Sequence, residues 1–219
     1  GQEEFHCLSE LISARKQVDP FAPVTVVSPT QYASVFLRRA LAAERGLLNV
    51  RFMTISRLAE YLGAPILAQK GKVPLTSLVE LATVRHIVRE SKQDGPLRAV
   101  SHHAGLPGLL RRSFRDLSRL DEKDLVTLAK ADDLRSQLVD WYRKFKTEIQ
   151  GYYPQEELVL AAEEGVRKRT VTDVLRDIGY IVFYLPNDLS GTETRLVGSL
   201  AGADQGTVIL GMLGEGELD

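Results

Sequence analysis

Two short segments of the sequence follow strand-like runs with side chains that can donate hydrogen bonds to a phosphate. Ser28-Pro29-Thr30-Gln31 comes directly after the β-branched run Val24–Val27, and Thr54-Ile55-Ser56-Arg57 comes after an apolar run that begins at Val50. Each segment is predicted to open a helix, whose free N–H groups and positive dipole end attract anions. The polar and charged side chains of the two segments are those of Ser28, Thr30, Gln31, Thr54, Ser56 and Arg57.

The same residues have a purely structural interpretation. Ser28 and Ser56 are side chains that commonly cap helices, and capping alone explains both. Pro29 has its φ angle already set for a first helical turn, and Gln31 lies at the spacing of a capping box counted from Ser28. Both interpretations stay open from the sequence.

A further candidate for phosphate contact is a stripe of arginines along one predicted helix. Arg111, Arg115 and Arg119 recur every four residues, with Arg112 beside them. On a continuous helix they would share one face and could follow a phosphate backbone. Acidic neighbours favour a solvated ion-pair face instead; they are Asp116, Asp121, Glu122 and Asp124. Arg38, next to Arg39 in the helix predicted after Gln31, has the same two interpretations.

Other reactive side chains lack the spacing of a catalytic or metal site. His102 and His103 are adjacent and would point apart on a helix, and no cysteine or carboxylate at ligand spacing accompanies them or His86. Cys7 lies next to His6, which argues against a Cys–His catalytic pair for the same reason. We therefore predict no catalytic, cofactor-binding or metal-binding residue.

Strands and helices alternate around the first two segments. Apolar residues at helical spacing predict a helix over 3–17, and Val24–Val27 is typical of a buried parallel strand. A helix from Ser28 to about Arg45, a strand over 50–54 and a short helix over 56–62 follow, and a strand over 180–184, a helix over 192–200 and a strand over 207–210 are predicted later. This alternation indicates a doubly wound α/β sheet.

The middle of the chain has only helical patterns. Helices are predicted over 78–92, 106–120, 122–131, 134–149 and 155–167. The predicted architecture is an α/β core, residues 1–74 and 169–219, interrupted by an all-helical subdomain, residues 75–168. Trp141, Tyr142 and Phe145 share one of these helices, where core packing or contact with a partner subunit is a commoner use than stacking on bases.

Composition and charge limit the possible partners. Of the 219 residues, 44% are hydrophobic and 26% charged, which is the balance of a globular protein with its own core. The single Cys7 cannot pair within the chain, so we expect a reducing, cytoplasmic setting. No apolar run approaches the roughly 20 residues of a membrane helix. The net charge of −1 gives no overall attraction to nucleic acid, so DNA contact would need local basic faces.

The order of the segments resembles a known helicase domain. The segments are VTVVSPTQYASVFLRRALA, NVRFMTISRLAEYLG, the helical stretch, IVFYLPNDLSGTETRLVGSLA and TVILGM. Together they resemble the N-terminal domain of superfamily 1 (UvrD-like) helicases, in the inactivated version of AddB-type helicase–nuclease B subunits. The resemblance implies a P-loop-NTPase-like (RecA-like) parallel core with a helical insertion. It also implies that the segments after Val27 and Met53 contact single-stranded DNA. The candidate residues are Ser28, Thr30 and Gln31 in the first segment and Thr54, Ser56 and Arg57 in the second, with Thr54 and Ser56 as hydroxyl donors.

Active members of this family have a Gly-rich phosphate loop that ends in Gly-Lys-Ser/Thr. The only Gly-Lys pair is Gly71-Lys72, which is followed by Val73 and lies between predicted helices, so we interpret it as a loop. The helix predicted before Val24 is expected to occupy the place where a phosphate loop would lie.

Active members also have an Asp-Glu pair at a strand end, which serves Mg²⁺ and the attacking water. Aligned on Ile181-Val182-Phe183, this pair falls on Tyr184 and Leu185, whose side chains can do neither. Asp188 is interpreted as a turn or helix-capping residue before Ser190. ATP hydrolysis by this segment is therefore not expected.

Three functions follow as hypotheses. The first is an inactivated helicase-like domain that binds single-stranded DNA weakly or docks a helicase or nuclease subunit, or the rest of a longer chain, without a cofactor. The second is an active ATP-binding helicase domain with a truncated or unconventional phosphate loop. The third is a pure protein-interaction module that uses the helical stretch.

Overall fold

The computed structural model describes residues 2–44, 46–90 and 95–211 and shows an α/β protein. The strands are β1 (Val24–Val27), β2 (Val50–Met53), β3 (Val73–Pro74), β4 (Tyr152–Tyr153), β5 (Tyr180–Tyr184) and β6 (Gly206–Ile209). The helices are α1 (Gln2–Val18), α2 (Gln31–Glu44), α3 (Ile55–Gln69), α4 (Ser77–Glu90), α5 (Leu106–Leu117), α6 (Glu122–Ala129), α7 (Asp133–Glu148), α8 (Gln155–Arg167), α9 (Thr172–Ile178) and α10 (Gly191–Gly202), and a 3-10 helix spans Pro96–Val100.

Most predicted elements lie within a few residues of their observed positions, and α3 differs most. It continues through Pro65 to Gln69, beyond the predicted end at residue 62, because Leu62, Gly63 and Leu67 are buried and tertiary packing outweighs the proline. The short β3, β4 and α9 were not predicted. The predicted helix ends at Arg45 and Lys92, and residues 212–219 of the predicted core, lie outside the described residues.

Four strands form one parallel sheet in the order β2–β1–β5–β6. The central strand β1 pairs Val24 with Val50 on one side and with Tyr180 on the other. Leu8 of α1 and Leu37 of α2 pack with Val24 in a buried cluster on one face. All four residues of β1 are buried, which is the pattern of a parallel strand covered on both faces.

Helix α8 packs against α3 and α10. A Cβ atom on Gly63 of α3 would lie 2.4 Å from the carbonyl oxygen of Leu158 in α8, so only glycine permits this approach of the two helices. The chain forms two compact units: the α/β unit, Gly1–Lys70 with Gln155–Asp219, and a second unit, Gly71–Pro154. By this division α8 belongs to the unit that contains the four-stranded sheet, whereas the predicted helical subdomain extended to residue 168. Helical periodicity does not tell which unit the apolar face of a helix covers.

The unit Gly71–Pro154 has its own hydrophobic core. The ring of Phe114 in α5 lies 5.8 Å from that of Tyr142 and 5.2 Å from that of Phe145, both in α7 (centroid to centroid). Trp141 is buried with them, so the three α7 aromatics serve core packing. Burial raises the pKa of the Tyr142 hydroxyl, with a smaller contribution from Glu122.

Candidate functional site

The carboxyl ends of β1, β2 and β5 meet at one edge of the sheet, around a cleft of about 380 Å³. In parallel α/β sheets this edge is the usual place for ligands, because the loops that leave the strands converge there. Polar groups in this strand-end cleft come from segments far apart in sequence; they are Ser28, Thr30, Thr54, Ser56, Asn187, Asp188 and Glu193.

The first wall of the cleft is built by the turn between β1 and α2. Thr30 Oγ1 accepts a hydrogen bond from Ala33 N (3.1 Å), and Thr30 O accepts one from Ser34 N. Thr30 is therefore the residue that caps α2, and its side chain is exposed. The prediction that Ser28 caps this helix, with Gln31 completing a capping box, is wrong because α2 begins only at Gln31.

Ser28 lies at the base of the cleft with 1% of its surface exposed. Its N–H donates to Met53 O (2.9 Å), which continues the pairing of β1 with β2 by one residue. Its hydroxyl donates to Thr30 O (3.0 Å) and shares a 2.7 Å hydrogen bond with the hydroxyl of Ser34. Ser28 thus fastens α2 to the sheet, and its hydroxyl is already engaged.

The second wall is the turn between β2 and α3. Thr54 Oγ1 accepts a hydrogen bond from Arg57 N (3.4 Å), so Thr54 caps α3. Ser56 lies inside the first turn of α3 and is exposed, so the interpretation of Ser56 as the cap is wrong. The sequence prediction started the helix one residue late, which moved the cap from Thr54 to Ser56.

A second depression of about 560 Å³ continues from the cleft and shares Thr54 and Ser56 with it. The other predicted residues of this adjoining groove are Gln31, Arg38 and Arg57. All seven candidates from the first 57 residues therefore line the strand-end cleft or the adjoining groove.

The two candidate arginines of the groove are in different electrostatic states. The guanidinium of Arg38 lies 5.6 Å from the ring centroid of Phe52, and no carboxylate in the described ranges pairs with it. Arg57 forms an ion pair with Glu60, which raises the pKa of its guanidinium, and lies 5.2 Å from the ring centroid of Tyr61. Arg38 is thus the groove's uncompensated positive charge.

Sequence reasoning did not identify Arg51 and Tyr61, which also line the groove. Arg51 is held by Asp177, with Nη1 to Oδ2 at 3.0 Å, and this hydrogen bond lowers the pKa of the Asp177 carboxyl. Tyr61 lies one helical turn after Arg57 on α3, and that spacing was the signal that could have found it. The partner of Arg51 is distant in sequence and leaves no local signal.

The third wall is formed by Phe183 of β5 and by residues 186–189, whereas Tyr184 and Leu185 are not among the residues that line the cleft. Tyr184 is buried, and Leu185 N donates to Ile209 O (2.9 Å) with φ at +46°. Asp188 has φ at +51°, as expected for a turn residue. The helix that follows is capped by Ser190, which forms a complete capping box with Glu193. Of the two predicted roles for Asp188, the turn is therefore the one that it fills.

The predicted arginine stripe belongs to the unit Gly71–Pro154 and is not one continuous face. Helix α5 ends at Leu117, so Arg119 lies beyond its end and does not extend the row of Arg111 and Arg115. Arg111 pairs with Glu80 of α4 (Nε to Oε2, 3.4 Å). Arg115 and Arg119 are exposed and form no ion pair within the described part of the chain.

Over residues 2–44, 46–90 and 95–211, no three His, Cys, Asp or Glu side chains are grouped as metal ligands. None of the helices in these ranges combines the length and apolar character that crossing a bilayer requires. No protein-family model matches the chain, and no curated protein matches it.

Proposed function

We propose that the chain is an inactivated superfamily 1 helicase-like domain of an AddB-type helicase–nuclease in the cytoplasm. In this proposal it guides single-stranded DNA along the strand-end cleft and the adjoining groove, and it docks a motor or nuclease partner or the rest of a longer chain. It does not hydrolyse ATP. An all-parallel sheet in the order β2–β1–β5–β6 is compatible with the RecA-like core that this proposal requires.

The observation that carries the proposal is the convergence of two distant segments on one surface. Residues 28–38 and 54–57 contain every candidate residue of the α/β unit, and all of them line the two joined depressions. Helices α2 and α3 both begin there, so free first-turn N–H groups and two positive dipole ends face the same edge of the sheet.

The chemistry of the surface suits a single strand better than a duplex. Arg38 offers an unpaired charge to one phosphate, and the exposed Thr30 and Ser56 hydroxyls can donate to others. Tyr61 is 39% exposed beside Arg57 and offers an aromatic face to an unstacked base. The few charges predict weak, salt-sensitive binding.

The absence of hydrolysis is inferred from the side chains at the end of β5. In the alignment with active helicases on Ile181-Val182-Phe183, Tyr184 and Leu185 take the positions of the two carboxylates. A phenol and an isobutyl group neither coordinate Mg²⁺ nor accept a proton from water.

Fluorescence anisotropy with a labelled single-stranded oligonucleotide and a matched duplex, at two salt concentrations, tests the proposal. We expect binding that prefers the single strand, weakens with salt and is unchanged by ATP. Absence of binding to either oligonucleotide would contradict DNA guidance and leave the docking role. Binding strengthened by ATP would favour an active nucleotide-binding domain.

Two neighbouring arginines provide a matched pair of variants. Arg38 lines the groove and Arg39 does not, although both are exposed on α2. Arg38→Gln should weaken single-strand binding and reduce the slope of log K against log salt by about 0.7, the value for one phosphate contact. Arg39→Gln should leave both quantities at the wild-type values. Equal effects of the two substitutions would indicate non-specific attraction.

A further inference from the structure

A larger cleft, of about 720 Å³, lies at the opposite edge of the same sheet, among the amino ends of β1 and β5 and the loop before β6. We call it the amino-edge cleft. Its size is within the range of small-molecule sites. Its walls include Pro23, Val166 and Leu175, and three arginines line it: Arg15, Arg169 and Arg176. The proposed DNA path does not include any of these residues.

Arg15 is held in place by an aromatic ring instead of a carboxylate. Its guanidinium carbon lies 3.7 Å from the ring centroid of Tyr180, and Arg15 has no ion pair in the described ranges. Stacking of this kind uses the flat face of the guanidinium and leaves the N–H groups at its edge available. Those donors match the oxygen atoms of a phosphate.

Arg169 occupies a backbone position at which glycine is normally preferred. It has φ at +57° at the end of α8, where Arg169 N donates to Val166 O (3.1 Å) and Thr170 N to Gly165 O (2.9 Å). This is the Schellman arrangement, whose left-handed residue is usually glycine and sometimes asparagine. Arg169 also has no ion pair within the described residues. Arg169 thus places a long, charged side chain at a position where the backbone conformation favours glycine.

The third arginine, Arg176, is compensated by Asp173 (Nη1 to Oδ1, 3.2 Å). Arg15 and Arg169 therefore have no carboxylate partner among the described residues, and the remaining charged side chain of the cleft lining is Asp204. A phosphate monoester carries about −1.5 to −2 at neutral pH and has three terminal oxygens, so one phosphate can accept hydrogen bonds from both guanidinium groups. We propose that the amino-edge cleft binds a small organic phosphate, with the phosphate on Arg15 and Arg169 and the organic part against the apolar walls.

One acidic residue of the cleft provides a variant that should bind phosphate more tightly. Asp204 lines the amino-edge cleft and forms no ion pair in the described part of the chain. It has φ at +55° just after α10, as Arg169 has φ at +57° just after α8. Its carboxylate would repel a phosphate. Asparagine adopts this backbone conformation readily, so Asp204→Asn removes the charge without a backbone penalty. Arg169→Gly likewise removes a charge and suits the backbone.

Isothermal titration calorimetry of the 219-residue chain with phenyl phosphate, and with phenol as the uncharged control, tests the site. We expect saturable binding of phenyl phosphate only. Arg169→Gly should weaken it by at least about tenfold, as expected for loss of a charge-assisted hydrogen bond, while the melting temperature stays equal or rises. Asp204→Asn should tighten binding several-fold. Arg167→Gln, on a neighbouring arginine that pairs with Glu163 (3.7 Å), should change nothing.

Three outcomes would overturn the proposal: no saturable heat with phenyl phosphate, equal affinity of wild type and Arg169→Gly, or weaker binding by Asp204→Asn. In each of these cases, the arginines would serve only to balance the negative ends of the helices that finish at this edge. The DNA proposal is tested separately, because Arg169→Gly should leave the anisotropy of the unphosphorylated oligonucleotide unchanged.

Discussion

The two compact units each contain residues that can bind a phosphate, but their candidate residues are arranged differently. In the α/β unit, residues from 28–38 and 54–57 line two joined depressions. In the unit Gly71–Pro154, Arg111 is paired with Glu80, and Arg119 lies beyond the helix that was expected to carry it. The sequence signal was comparable in the two cases.

The difference lies in how each fold brings distant residues together. Parallel strands end at a common edge, so whatever follows β1, β2 and β5 must converge there. A stripe on one helix depends on that helix continuing, and α5 stops at Leu117. Topology therefore supports a predicted site more strongly than periodicity along a single element.

The largest expected effect is on stability, and it tests whether α8 packs in the α/β unit. The comparison of the two units depends on this assignment. Gly63→Ala places a Cβ atom 2.4 Å from Leu158 O, a backbone atom that cannot move without shifting α8. We expect a loss of at least about 2 kcal/mol in the free energy of unfolding, measured by urea titration with circular dichroism. Gly198→Ala in α10 is the control, since its Cβ meets nothing within 4 Å and a helical alanine should add about 0.5–1 kcal/mol. Similar stability of the two variants would mean that α3 and α8 are not in close contact.

A smaller effect on stability is expected at Ser28. It distinguishes the residues of the strand-end cleft that support the fold from those that bind DNA. Ser28→Ala leaves the buried Ser34 hydroxyl without its partner, so we expect a loss of about 1–2 kcal/mol in the free energy of unfolding. Single-strand affinity should not change, because the Ser28 hydroxyl is engaged inside the protein. Ser56→Ala should show the reverse pattern, with stability within about 0.5 kcal/mol of wild type and weaker DNA binding. A loss of affinity without loss of stability in Ser28→Ala would place Ser28 among the binding residues.

Much of the α/β unit could be predicted from local patterns. The β-branched run Val24–Val27 and the apolar run Tyr180–Tyr184 were predicted with their observed bounds, because buried parallel strands are continuous in hydrophobicity. Those strands also determined which edge of the sheet the candidate residues would share. The caps were less accurate: the side chains of Ser28 and Thr30 are both good caps, and only tertiary pairing of Ser28 with Met53 and Ser34 distinguishes them.

What could not be predicted depends on contacts between residues far apart in sequence. The assignment of α8 to the α/β unit rests on its close approach to Gly63. The pairing of Arg51 with Asp177 and the stacking of Arg15 on Tyr180 likewise join distant segments. The amino-edge cleft was not predicted for this reason, since its arginines come from α1, from the end of α8 and from α9.

The smallest effect is expected for the exposed arginines of the unit Gly71–Pro154. A large effect on DNA binding there would contradict the difference between the two units. Replacing both Arg115 and Arg119 with alanine removes two exposed charges that form no ion pair in the described ranges, so stability should stay within about 0.5 kcal/mol of wild type. If the α/β unit alone carries the DNA site, single-strand affinity at moderate salt should change by less than about twofold, because unpaired charges outside the site act only through the screened general field. Fluorescence anisotropy of the Arg38→Gln variant, measured in parallel, shows how much affinity is lost with one phosphate contact. A loss as large as that of Arg38→Gln, with a salt slope reduced by about 1.4 for two contacts, would show that single-stranded DNA also contacts the unit Gly71–Pro154.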